Sequence, residues 1–125
     1  MYAVVCYARN MVKQGVVVSE SQLRKGAVEL VVLGLLSSRP SYGGQLVERF
    51  REEAGLEIST GTLYPLLARL RKSGLVVTAW QESPVGPPRK IYKLAKSGKN
   101  RLLQMRGEWE ALDCAVKRTT QKGIR

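Results

Sequence analysis

The sequence predicts a mainly α fold of the α+β class: a helix-turn-helix, a small β-hairpin wing behind it, and one long C-terminal helix. Three observations predict it. In Ser59–Gly74, STGTLYPLLARLRKSG, residues Leu63, Leu66, Leu67 and Leu70 fall at i, i+3, i+4 and i+7, which makes one apolar stripe on a helix. Two strand-like runs follow, LVVTAWQE (Leu75–Glu82) and RKIYKL (Arg89–Leu94), separated by the turn-rich SPVGPP (Ser83–Pro88). The third observation is charge: 21 Lys and Arg stand against 10 Asp and Glu, a net charge of +11 that suits a polyanionic partner.

At 125 residues the chain has room for one core. Residues 1–20 read as an N-terminal extension of unassigned role. Val16–Val18 could be a short strand, an extension of the first helix, or nothing regular, and Met11 offers a second start. The helix-turn-helix and wing occupy 21–95, and 96–121 form a C-terminal dimerisation helix.

The first helix spans Gln22–Leu36, capped by Ser19 or Ser21. Leu23, Ala27, Leu30, Val31, Gly34 and Leu35 follow helical spacing, and the second half, ELVVLGLL, is apolar nearly all round and therefore central. Arg24 and Lys25 stand in its first turn, where the helix dipole disfavours cations. They are either phosphate contacts or two solvated charges. Ser37–Pro40 ends the helix. Ser41 caps a second one, with Tyr42, Leu46, Val47, Phe50 and Ala54 on one stripe. Leu56–Ile58 is a short extended link to the third helix, which Ser59 or Thr60 caps and Gly74 ends.

The outer face of that third helix carries Gly61, Thr62, Pro65, Arg69 and Lys72, with Tyr64 at its edge. It is small and polar at the start and basic at the end, which suits entry into a DNA groove with phosphates at the tail. Its first turns lack the Arg, Asn or Gln that reads guanine or adenine with two hydrogen bonds. Thr60 and Thr62 can touch a thymine methyl, and Tyr64 can reach a phosphate or a sugar. DNA shape and the wing should then supply much of the specificity. Arg89 and Lys90 sit at the wing's base, within reach of phosphate or the minor groove.

The last helix runs from Ser97 to about Thr119. Leu102, Met105, Trp109, Leu112 and Val116 are spaced 3, 4, 3 and 4 residues apart, a heptad seam. A second copy of the chain is one partner for it, and the chain's own first helix is the other.

Composition removes other functions. The chain contains no histidine, which excludes a His-based triad or metal site. Cys6 and Cys114 lack the spacing of zinc ligands, and their number fits a reducing cytosol rather than a disulfide. No nucleophile–base pair, paired acids or phosphate-cradling glycine loop is present, so no enzyme, metal or cofactor is expected. The opening MYAVVCYARN lacks the pattern of a secretion signal, and no apolar run approaches the roughly 18 residues of a membrane span. A cytoplasmic protein without a membrane partner is expected.

These pieces together resemble the PadR family of transcriptional regulators. The resemblance is carried by LRKGAVELVVLGLLSSRPSYG (Leu23–Gly43), STGTLYPLLARLRKSGLV (Ser59–Val76), GPPRKIYKLAKSGK (Gly86–Lys99) and EWEALD (Glu108–Asp113), and it covers residues 21–116. The single helix after the wing is similar to the family's short C-terminal branch. The resemblance implies a winged-helix homodimer, joined by its last helices, that binds double-stranded DNA at a palindromic operator and usually represses. Thr60, Gly61, Thr62, Tyr64 and Pro65 match the family's recognition-helix motif, Arg89 and Lys90 its wing cations, and Tyr42 the Tyr-Gly opening the second helix. Some members hold a flat aromatic or drug-like effector between subunits against a tryptophan of the last helix. Trp109 stands at that position, with Met105 beside it. Gly44 and Ile91 depart from the family pattern. The alternative reading is an accessory or architectural DNA binder without an effector.

Overall fold

The computed structural model describes residues 22–121, and side chains from Arg24 onward. The first twenty residues, with Val16–Val18 and Cys6, lie outside them.

Helix α1 spans Gln22–Ser38, two residues past its expected end. Its last turn is sustained by its own serines: the Ser37 and Ser38 hydroxyls donate to the carbonyls of Gly34 and Leu35 at 2.6 and 2.9 Å. The face it buries shares only Leu35 with the expected stripe. Val28, Val32, Leu33, Leu35 and Leu36 are in the core, whereas Ala27, Leu30, Val31 and Gly34 are half-buried. Apolar residues surround this helix, so spacing alone does not select a face.

Ser41–Tyr42 form a short strand, β1, where the sequence suggested only a cap. Ser41 is 1% exposed and does not cap α2; Tyr42 stands at that position and makes no side-chain cap bond. Helix α2 is brief, Gly43–Arg49, and widens into a π turn, Phe50–Ala54, closed by Gly55 at φ 70°. Phe50 is fully buried.

Beside it lies Arg49, 4% exposed. All five of its N–H donors are used. They go to Glu53 at 2.7 and 3.2 Å, Ser38 Oγ at 2.7 Å, Ser41 Oγ at 2.9 Å and the Arg39 carbonyl at 3.3 Å. One guanidinium thus joins the end of α1, β1 and the π turn. The hydrogen bond from Arg49 holds the Glu53 carboxyl below the usual carboxylate range. The stabilisation this represents is present above the ordinary carboxylate pKa and is lost as pH falls through the lowered value.

Helix α3 spans Thr60–Lys72. Strands β2 (Val76–Gln81) and β3 (Arg89–Leu94) pair antiparallel, from Val76↔Leu94 to Gln81↔Arg89. β1 adds to the other edge of β3 through Ser41↔Tyr92 and Tyr42↔Ile91. The sheet order is therefore β1-β3-β2. Val76, Tyr92 and Leu94 face the core, and burial pushes the Tyr92 phenol above its ordinary pKa.

Helix α4 spans Lys96–Thr120 and is about 37 Å long at 1.5 Å per residue. Ser97 was expected to open it; Ala95 is the capping position instead, and the Ser97 hydroxyl donates to the Gly74 carbonyl at 2.7 Å. Gly98 permits this docking, because a Cβ there would overlap the Leu75 carbonyl and the Leu94 side chain. Leu102 and Met105 pack, half-buried, against the core. Farther along, Trp109, Leu112 and Val116 are 42%, 60% and 52% exposed. The seam thus divides between the chain's own core and solvent. Among the described residues no helix is long and apolar enough to cross a membrane, and no cluster of three or more His, Cys, Asp or Glu could hold a metal.

Candidate nucleic-acid interface

The core-facing stripe of α3 is the one its spacing requires: Leu63, Leu66, Leu67 and Leu70 are all buried. Ser59 caps the helix, its Oγ accepting from the Thr62 amide at 3.2 Å. Gly74, at φ 80°, releases the chain after the last turn, and the Leu75 amide donates back to Leu70. Pro65 falls on the outer face in the second turn.

At about 100° per residue, the side opposite the leucines is centred on Gly61, Pro65, Ala68 and Lys72. All four are exposed, as are Thr60 and Tyr64. This is a shallow surface with no long side chain until its last turn, so a groove wall can approach the backbone closely. Thr62 is not part of it. It is half-buried, and its hydroxyl accepts from Ser59 Oγ at 3.1 Å within the cap.

The two flanks of α3 differ. On one, Arg69 pairs with Glu29 of α1 at 3.2 Å; the arginine is 63% exposed and the carboxylate 12%. Lys25, exposed, lies one turn before Glu29 on the same face of α1, while Arg24 is half-buried and engaged within the protein. On the other flank Tyr64, 44% exposed, lies over Gly43, where a Cβ would overlap the phenol ring. Glycine at the start of α2 is what lets the ring lie there.

This second flank opens into a cleft of about 200 Å³ lined by Tyr42, Gly43, Tyr64, Arg89, Lys90 and Tyr92. It gathers residues from β1, α2, α3 and the wing that are up to fifty positions apart in sequence. The Arg89 guanidinium lies 4.5 Å from the centre of the Tyr42 ring, and Lys90 Nζ lies 5.6 Å from that of Trp80. Both wing cations are thus held by aromatic faces rather than by carboxylates. Their charge is left available to an external anion. Tyr64, Arg89, Lys90 and Tyr42 come together here, whereas Arg69, Arg24 and Lys25 stand on the α1 side.

One cation was missed. Arg71, exposed, lies seven residues after Tyr64 on the same flank, and its positive charge opposes the upward shift of the Tyr92 phenol. Lys72, expected on the outer face, lies at its centre and is exposed. Helical phase carried from Tyr64 along α3 identifies Arg71 as well.

A helix with an open outer face, preceded by α1 and α2 and followed by a hairpin that carries unpaired cations, defines the winged-helix class of DNA-binding proteins. The comparisons specify which. The model of the PadR-like transcriptional regulator family matches residues 32–104, and the chain belongs to this family. A transcriptional regulator of Mycobacterium tuberculosis is 31% identical over 91 residues, which span 73% of this chain and 83% of that protein. A PadR-like transcription factor from Bacteroides fragilis has a solved structure with 39% identity and a TM-score of 0.69, covering 80% of this chain and 96% of that one. A PadR-family regulator from Eggerthella lenta has 29% identity and a TM-score of 0.72, with 96% and 97% covered. The protein is accordingly a DNA-binding transcription regulator with a winged-helix fold, and its relatives are regulators rather than enzymes.

Proposed function

We propose that this regulator acts as a homodimer on a palindromic operator, usually to repress, and that a flat aromatic ligand releases it. The observation that carries the reading is the cleft between Tyr64 and the wing base, which Arg89 and Lys90 line together with Tyr42, Tyr64 and Tyr92, next to an exposed helix face. That arrangement fits a phosphate at the groove's edge while α3 enters the groove. Specificity then comes from DNA shape and from light contacts by Thr60, Gly61 and Pro65. Arg69 and Lys25 would meet the flanking backbone on the α1 side. Selecting bound fragments from genomic DNA tests this directly: a palindromic site with half-sites about one helical turn apart supports it. Even coverage of unrelated DNA favours an architectural protein instead.

The wing cations make a separate prediction. Arg89→Ala and Lys90→Ala should each weaken specific and non-specific binding alike. Each should also flatten the dependence of log K on log salt by about one unit. Binding isotherms between 50 and 200 mM salt read this, and slopes equal to wild type would contradict it.

The dimer reading rests on Trp109, Leu112 and Val116, an apolar stripe left uncovered on the distal half of α4. A second α4 would bury it. In this division residues 21–95 bind DNA and 96–121 hold the subunits together. Leu112→Asp with Val116→Asp should give a monomer at micromolar concentration by sedimentation. Its operator affinity should fall by more than tenfold, because the two half-sites no longer bind as one.

The ligand reading rests on Trp109 at the mouth of that seam, with Met105, a side chain that adapts its shape, one turn away. A ligand preferring a tilted dimer would shift the spacing of the two α3 helices away from that of the operator. Flat aromatic compounds should quench Trp109 emission. A Trp109→Phe protein quenched to the same extent would remove the pocket.

A further inference from the structure

Trp80 stands out on the wing. It is 69% exposed, an unusual position for the largest apolar side chain. Its cross-strand partner is Lys90, and the neighbouring pair on the same face is Thr78↔Tyr92. Lys90 and Tyr92 both line the cleft beside Tyr64. The indole therefore continues, toward the wing tip, the face that carries the proposed phosphate site. Lys90 Nζ lies 5.6 Å above its ring, so cation and aromatic are presented together.

We infer that Trp80 is a DNA-contacting residue, with its ring packed against the deoxyribose edge of the groove wall that the wing enters while Lys90 holds the adjacent phosphate. The inference rests on the reading of the cleft as a phosphate site. Charge selects the occupant. Lys90 pairs with the indole across the hairpin, Arg89 is the next residue of the same strand, and the chain carries a net charge of +11; an anionic polymer with apolar sugar edges matches both the cations and the ring. A contact of this kind does not depend on base identity, because every nucleotide presents the same sugar. It raises affinity for all duplexes and leaves discrimination to DNA shape and the α3 contacts.

The chain has two tryptophans, Trp80 and Trp109, so Trp109→Phe leaves a single reporter on the wing. The full chain carrying that change is titrated with a fluorescein-labelled 30-base-pair duplex of mixed sequence. Anisotropy of the label reports binding and tryptophan emission reports Trp80. The expected result is a change of Trp80 emission that tracks the anisotropy isotherm. In the wild-type background, Trp80→Ala should lose about tenfold in affinity with an unchanged salt slope and an unchanged melting temperature, and Trp80→Phe should recover most of the loss. Binding by anisotropy with static Trp80 emission, or a Trp80→Ala affinity equal to wild type, overturns the inference and leaves the DNA reading standing. Emission that moves with protein concentration in the absence of DNA assigns the indole to a protein contact and also overturns it. No binding of any duplex at low salt overturns the cleft reading and this inference with it.

Discussion

Arg49→Ala is expected to lower the melting temperature by roughly 12–24 °C at fixed protein concentration. The guanidinium is nearly sealed from water and serves five acceptors on three elements. Its removal leaves the buried Ser41 hydroxyl and the Arg39 carbonyl short of a partner. Together these cost about 3 kcal/mol, most of it from groups left unsatisfied rather than from the ion pair with the 39%-exposed Glu53. A domain of this size shifts by about 4–8 °C per kcal/mol. Arg49→Lys separates charge from geometry. It keeps the charge, but an ammonium has three donors on a compact head and cannot reach both serines and the carboxylate, so it should recover less than half of the loss. Calorimetry on the three proteins decides this, and a lysine variant as stable as wild type would show that charge alone matters.

Tyr64→Ala is expected to lower operator affinity roughly 10- to 100-fold, the range of one hydrogen bond to a charged group at about 1.5–3 kcal/mol. Its stability should stay near wild type, because the ring is half in solvent and the core stripe of α3 lies on the other side. Tyr64→Phe tests the hydroxyl alone and should account for most of the loss. Gly43→Ala acts on the same ring from the α2 side of the cleft. Its Cβ would enter the space of the Tyr64 ring, and the far end of that side chain is what must yield. The cost to folding is small, but the phenol leaves the cleft, so affinity should fall as it does in Tyr64→Phe. A Gly43→Ala protein that binds like wild type would mean that the ring's resting place on α2 is irrelevant to recognition.

Much of the molecule was legible in one dimension. The leucine stripe of α3, its serine cap, the glycine that ends it and the two wing strands all obey local rules. A helix with a 3.6-residue period and a strand with a two-residue period leave their marks in any stretch long enough to repeat. The long α4 was legible for the same reason. What was misread lacked such a mark. The buried face of α1 could not be chosen, because apolar residues surround it. Ser41 looked like a cap because serine caps helices. Its role as a buried acceptor for Arg49 depends on a residue eight positions on and a strand fifty positions on. β1 is two residues long, too short for any period.

The recognition surface divides in the same way. Local order determined which α3 residues face outward, and composition determined that the protein is strongly cationic and has no histidine for catalysis. Only the tertiary structure decided that Tyr64 lies on Gly43 beside Arg89 and Lys90, that Thr62 is turned into the cap, and that Arg69 is tied to Glu29. Periodicity states which way a side chain points from its own element. Which neighbour it meets depends on how the elements pack, and the burial of the shared core is what sets that.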